Sequence, residues 1–73
     1  MPAMRLLVFD DPTLPDRCEW LIDDGGDLHA SMRALARQSY RRNRQRIPDE
    51  ALADRLRAHA TVDARPYAPP GTG

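Results

Sequence analysis

A chain of 73 residues forms one small domain at most, and a domain of this size buries only about 60% of the surface that its unfolded chain exposes. The formal net charge is zero, and the single cysteine excludes an intrachain disulfide and a cysteine-based zinc site. We therefore expect a partner chain, or self-association, to contribute to its stability.

Charge is distributed in blocks along the chain. Residues 1–27 carry seven acids and two arginines (net −5), whereas residues 28–47 carry six arginines and no acid (net +6). Residues 48–73 carry four acids and three arginines (net −1). Such segregation either steers a charged partner or is neutralised inside the molecule.

The N-terminal apolar run is short and ends at Phe9, before Asp10 and Asp11. A secretory signal needs roughly 7–15 apolar residues, and a membrane span needs about 20. A lone cysteine also fits a reducing compartment. The sequence therefore predicts a cytoplasmic protein that makes no membrane contact.

Short antiparallel strands are predicted within residues 4–30. Residues 5–9 form a short apolar run that is typical of a buried strand, and residues 10–16 contain the prolines and aspartates of a turn. Residues 18–23 fit either an alternating strand or a helix that begins at Pro15. The following Asp24-Gly25-Gly26 favours a hairpin of residues 17–23 with residues 27–30.

A helical pair is predicted over residues 31–46 and 48–60. Ser31 is a suitable N-cap of the first helix, and Pro48 suits the first position of the second. The buried face of the first helix is predicted to end near Tyr40 and to contain Leu28, Met32, Leu35, Ala36 and Ser39. That of the second is predicted to contain Leu52, Leu56 and Ala60.

The predicted fold class is thus α+β, in which a short antiparallel β-meander of two to three strands precedes the helical pair and an extended C-terminal tail. Residues 1–60 are expected to form the single domain. Residues 61–73 contain three prolines and two glycines, and they are expected to be irregular.

The Arg33–Arg46 segment is the candidate functional site. Its first arginines fall opposite the apolar face, as on any solvated helix, but from Arg41 to Arg46 charge surrounds the helix on every side. The predicted partner-binding residues, for protein or nucleic acid, are Arg37, Tyr40, Arg41, Arg42, Arg44, Arg46 and Tyr67.

The expected function is that of a small non-enzymatic accessory protein, which docks on a larger protein assembly through its arginine-rich helix end and C-terminal tail. The alternative is a nucleic-acid-binding protein that uses the Arg33–Arg46 basic helix, with Tyr40 stacking and Asn43 and Gln45 near base edges. A zero net charge counts against this alternative, because nucleic-acid-binding domains of this size are usually basic.

Other chemistry has weaker signals. The run Asp23–Asp27 lacks the glutamate that closes a calcium loop, and neither histidine lies in a motif that pairs it with Cys18. Cys18 is expected to be a small apolar filler, and Trp20 either a core residue or an exposed interface anchor. No catalytic residue, metal, cofactor or small-molecule substrate is predicted.

Overall fold

One four-stranded sheet with two helices on one of its faces forms the fold of the computed structural model, which describes residues 3–71. Strand order is β2-β1-β3-β4, and every neighbouring pair is antiparallel. The predicted α+β class is confirmed. The elements are β1 (Met4–Phe9), β2 (Cys18–Asp23), α1 (Leu28–Arg42), α2 (Asp49–His59), β3 (Ala60–Val62) and β4 (Arg65–Pro66).

Strand β1 lies in the centre of the sheet and β2 pairs with it along its full length, with Leu7 opposite Trp20. The predicted hairpin of residues 17–23 with residues 27–30 is therefore wrong. Residue 28 begins α1 instead, because the Asp27 carboxylate accepts a hydrogen bond from the Ala30 N–H (3.0 Å) and caps the helix. Asp27 thus has the role that the sequence had suggested for Ser31.

Helix α1 ends at Arg42, before the predicted limit of Arg46, in a Schellman motif. The Gln45 N–H donates to the Tyr40 carbonyl (2.9 Å), and the Arg44 N–H donates to the Arg41 carbonyl (3.0 Å). This geometry requires a left-handed residue at position 44, where Arg44 has a φ of 58°. The chain therefore leaves the helix axis before the last arginines of the basic segment.

The hydrophobic core lies between the helices and one sheet face. On that face β1 contributes Leu7 and Phe9, which are fully buried. The helical faces predicted from periodicity are confirmed: the buried residues of α1 are Met32, Leu35, Ala36, Ser39 and Tyr40. The core cluster consists of Leu7, Phe9, Leu14, Cys18, Met32, Leu35, Ala36, Tyr40, Leu52, Leu56, Ala60, Val62 and Tyr67.

The segment that follows α2 completes the sheet. Strand β3 pairs with β1, and Val62 and Tyr67 are both buried in the core cluster. The Tyr67 N–H donates to the Ala60 carbonyl (3.2 Å), which extends the β3–β4 pairing. The prediction of an irregular tail is therefore wrong for residues 61–67, whereas residues 72–73 lie outside the described residues.

No helix of residues 3–71 covers the second face of the sheet. By the strand register, Met4, Leu6, Val8 and Leu21 share this face, and the side chains of Met4 and Leu21 are 49% and 63% exposed. A two-layer architecture with one open face is common for antiparallel sheets, because such sheets tolerate water on one side.

Candidate binding surface at the end of the first helix

Most arginines outside the end of α1 pair with a carboxylate. Arg33 and Arg37 both approach Asp49, the first residue of α2, and thereby link the two helices. The full set of pairs is Arg5 with Asp24 and Asp63, Arg17 with Glu19, Arg33 and Arg37 with Asp49, Arg55 with Asp11, and Arg57 with Asp54. Of the six arginines in residues 28–47, Arg33 and Arg37 are therefore neutralised in part by a carboxylate of α2.

The end of α1 is different. Arg41, Arg42, Arg44 and Arg46 are all exposed, and none of them forms an ion pair with a carboxylate of residues 3–71. We refer to these four residues as the basic end. Cations are favourable at this position, because the last carbonyl groups of a helix carry a partial negative charge.

A groove separates the basic end from strand β2. Trp20 lines this groove. The side chain is half-buried and packs against the core cluster, so Trp20 is neither a fully buried core residue nor a fully exposed interface anchor, the two roles predicted for it. The remaining wall comes from one face of α1, at helical spacings of three and four residues. The groove is lined by Trp20, Ala34, Arg37, Gln38, Arg41 and Arg42.

The two tyrosines that the sequence placed in the binding site are buried. Tyr40 is 4% exposed, and its ring packs edge-to-face on Phe9 with the ring centroids 5.7 Å apart. Tyr67 is 5% exposed; it stacks on His29, and its hydroxyl forms a hydrogen bond with Nδ1 of that ring. Neither ring is available to stack on a base or to contact a partner, so both predictions need correction.

The five predicted arginines remain at or near the surface. Arg37, Arg41 and Arg42 line the same groove, whereas Arg44 and Arg46 lie in the loop that follows α1. Arg37 is the least available of them, because it is half-buried and already paired with Asp49.

Sequence reasoning missed the role of Asp11, whose carboxylate is fully buried and contacts Tyr40 in the last turn of α1. It accepts hydrogen bonds from the Thr13 N–H (2.9 Å), the Thr13 hydroxyl (2.8 Å) and the Tyr40 hydroxyl, and Arg55 lies 3.8 Å away. The Asp11-Pro12-Thr13 run was a usable signal, because an aspartate two residues before its donor is typical of an Asx turn.

These contacts set the ionisation of the cluster. Burial by itself raises the pKa of Asp11, but the hydrogen bonds from Tyr40 and Thr13, with the charge of Arg55, outweigh it and leave the pKa below its usual value. Burial and the bond to Asp11 raise the pKa of Tyr40 well above its usual value. The pair therefore exists as a carboxylate and a neutral phenol.

The remaining candidates have structural roles. The Cys18 thiol is buried and donates to the Ser39 hydroxyl (3.3 Å), and no hydrogen bond joins it to either histidine. Asp24 pairs with Arg5, and Asp27 caps α1. Within residues 3–71, no three histidine, cysteine, aspartate or glutamate side chains come together in a way that would hold a metal ion.

Comparison of the chain with protein-family models, curated proteins and solved structures gave no match. Over the described part of the chain, both helices are too short and too polar to cross a bilayer.

Proposed function

We propose that this protein is a non-enzymatic interaction module that uses its basic end to dock on an acidic surface of a larger protein. The observation that carries the proposal is the contrast between two groups of arginines. Six of the seven arginines elsewhere, all but Arg65, pair with carboxylates of the same chain. The four of the basic end are exposed and form no ion pair with a carboxylate of residues 3–71.

The physical case rests on the cost of like charge. Four guanidinium groups close together repel one another, and the repulsion is relieved when carboxylates of a partner approach. Guanidinium groups also suit such a contact because each binds a carboxylate through two parallel hydrogen bonds. Such charges would increase the rate of association with an acidic partner.

A phosphate backbone would satisfy the same charges, which makes nucleic acid the alternative ligand. The burial of Tyr40 counts against nucleic acid, because it removes the ring that was predicted to stack on a base. Asn43 is also engaged, since its amide donates to the Ser39 carbonyl (2.8 Å). The tail loses its predicted contact role together with Tyr67.

Co-purification from the source cells, with and without nuclease, tests the proposal. The bait variant replaces Arg41, Arg42 and Arg46 with alanine, and the charge-matched control replaces Arg17, Arg57 and Arg65. Arg44 is left unchanged because its left-handed backbone complicates substitution.

We expect nuclease-resistant protein partners that the wild-type chain and the control retain and that the basic-end variant loses. Equal retention by the two variants would refute the proposal. Partners that disappear after nuclease treatment would favour the nucleic-acid alternative instead, as would a binding constant on DNA that falls with salt by roughly 0.9 logarithmic units per neutralised phosphate.

A further inference from the structure

The groove beside the basic end includes Trp20, a residue of the edge strand β2. Strand β2 is the outermost strand on its side of the sheet; it has six residues and contains no proline. The opposite edge is β4, which has two residues, one of them Pro66. Long, proline-free edges are the ones that accept a further strand, and short edges with proline are protected from it.

The hydrogen bonds of the sheet show which backbone groups of β2 face outward. The Asp24 N–H donates to the Ala3 carbonyl (2.8 Å), which makes Ala3 and Asp24 a hydrogen-bonded pair. Because such pairs alternate along an antiparallel ladder, the N–H and C=O groups of Glu19, Leu21 and Asp23 point away from β1. The Asp23 carbonyl accepts from the Gly26 N–H (2.9 Å), so Glu19 and Leu21 present the unpaired groups.

The two sides of this edge differ in charge. On the helix side, a strand added to β2 would lie beside Trp20 and near Arg41 and Arg42, and the described residues that line the groove include no acid. On the other side it would lie beside the exposed Leu21 and between Glu19 and Asp23. Successive residues of a strand face opposite sides, so this edge favours acidic side chains that alternate with apolar or neutral ones.

We propose that the β2 edge and the basic end together bind an extended acidic segment of a partner protein, which adds to the sheet as a fifth strand. This inference rests on the proposed function and names the partner chemistry. Backbone hydrogen bonds to Glu19 and Leu21 supply affinity in this mode of recognition, and the arginines select the sequence. A second copy of this chain is a poorer occupant, because edge-to-edge pairing of β2 would bring two basic ends together.

The test uses three synthetic peptides and the intact protein. The first peptide, EVEVEVE, places all its acids on one side of a strand. EEVVEEV has the same composition without the alternation, and EVEPEVE carries a proline that interrupts the pairing. Binding is measured by the anisotropy of labelled peptide and by the fluorescence of Trp20, which is the only tryptophan.

We expect EVEVEVE to bind at least about tenfold more tightly than either control peptide, which corresponds to the loss of one or two hydrogen bonds. On binding, the amide protons of Glu19 and Leu21 should become protected from hydrogen exchange. Leu21→Pro should weaken binding of EVEVEVE by a similar factor, because it removes an outward N–H and leaves the ladder with β1 in place.

The outcomes separate this inference from the proposed function. If all three peptides bind equally and the substitution of Arg41, Arg42 and Arg46 weakens all of them, the basic end binds acids and strand addition is refuted. If the substitution of Arg41, Arg42 and Arg46 leaves the binding of every peptide unchanged, the proposed function of the basic end is refuted. A dimer seen by sedimentation and dissociated by Leu21→Pro would refute the peptide site in favour of self-pairing. Protection of Leu21 in the EVEVEVE complex remains informative if Leu21→Pro does not fold.

Discussion

The Tyr40 hydroxyl donates to the buried carboxylate of Asp11, and this hydrogen bond ties the last turn of α1 to the loop between β1 and β2. The same carboxylate also stabilises the loop, because it accepts hydrogen bonds from the N–H and hydroxyl of Thr13. The position of the basic end relative to β2 therefore depends on a polar contact inside the core.

Removal of the Tyr40 hydroxyl should destabilise the fold without changing its charge. Tyr40→Phe leaves the buried Asp11 carboxylate with one donor fewer, and we expect the free energy of unfolding to fall by about 1.5–3 kcal/mol. Urea denaturation measures the change. Tyr67→Phe is the control for loss of a tyrosine hydroxyl. It should lower the free energy of unfolding by less, because the partner of that hydroxyl, His29, is only half-buried. A Tyr40→Phe variant as stable as the wild type would contradict this account.

Asp11 should make stability depend on pH in the acid range. Its pKa is lower in the folded than in the unfolded chain, so its contribution to stability is complete above the unfolded value of about 4. The contribution is lost as the pH falls from there through the folded-state pKa. Asp11→Asn should therefore lower the free energy of unfolding at pH 7. Below about pH 4, the free energy of unfolding of this variant should decrease less steeply with pH than that of the wild type. Asp16→Asn, at an exposed position, is the control and should leave the profile almost unchanged.

Arg44→Gly should stabilise the protein. The left-handed backbone at position 44 costs a residue with a Cβ atom about 1–2 kcal/mol, and glycine avoids this cost. Glycine also increases the conformational entropy of the unfolded chain, which lowers stability by about 0.4–1 kcal/mol. We expect a net gain of about 0.5–1 kcal/mol in thermal or urea unfolding. Arg44→Ala removes the same charge and keeps the strain, so an equal gain from alanine would show that charge relief is the cause.

Residues beyond Ala60 should be required for folding. A chain that stops at Ala60 lacks the buried side chains of Val62 and Tyr67 and leaves one edge of β1 unpaired. We expect it to show no cooperative thermal transition by circular dichroism, whereas a chain that stops at Gly71 should unfold like the longer one. Tyr67→Ala within the 73-residue chain should lower the free energy of unfolding by about 3 kcal/mol or more. Cooperative unfolding of the shorter chain would refute this prediction.

The helical part of the fold could be predicted from the sequence because its signals are long. Apolar residues recur at helical spacing from Met32 to Tyr40, and Leu52 and Leu56 mark the second helix; both faces are buried as expected. The turn after β2 was misread because Asp24-Gly25-Gly26 suits a hairpin and a helix entry equally well. Only the pairing of β2 with β1, a contact distant in sequence, decides between them.

The C-terminal strands could not be predicted because each is too short to show a period. Strand β3 has three residues, and β4 contains Pro66, which ordinarily argues against a strand. Proline is tolerated there because the Tyr67–Ala60 hydrogen bond fixes the alternation, and the missing N–H of Pro66 faces away from β3.

For the candidate site, the exposure of the arginines was predictable and the burial of Tyr40 was misjudged. Its charged neighbours suggested a solvent position, although the spacing from Met32 and Ala36 places Tyr40 on the buried face. The sequence also gave no sign that β2 is an edge strand. That property follows from the order in which distant segments join the sheet.

The central strand β1 is the first element of the chain, yet one of its two neighbours, β3, begins at Ala60. During synthesis from the N-terminus, β1 therefore emerges well before β3 and keeps one unpaired edge until residues 60–67 have been made. Closing so long a loop is slow relative to local helix formation. Throughout that interval the nascent segment is open to chaperones and to misassembly with neighbouring chains.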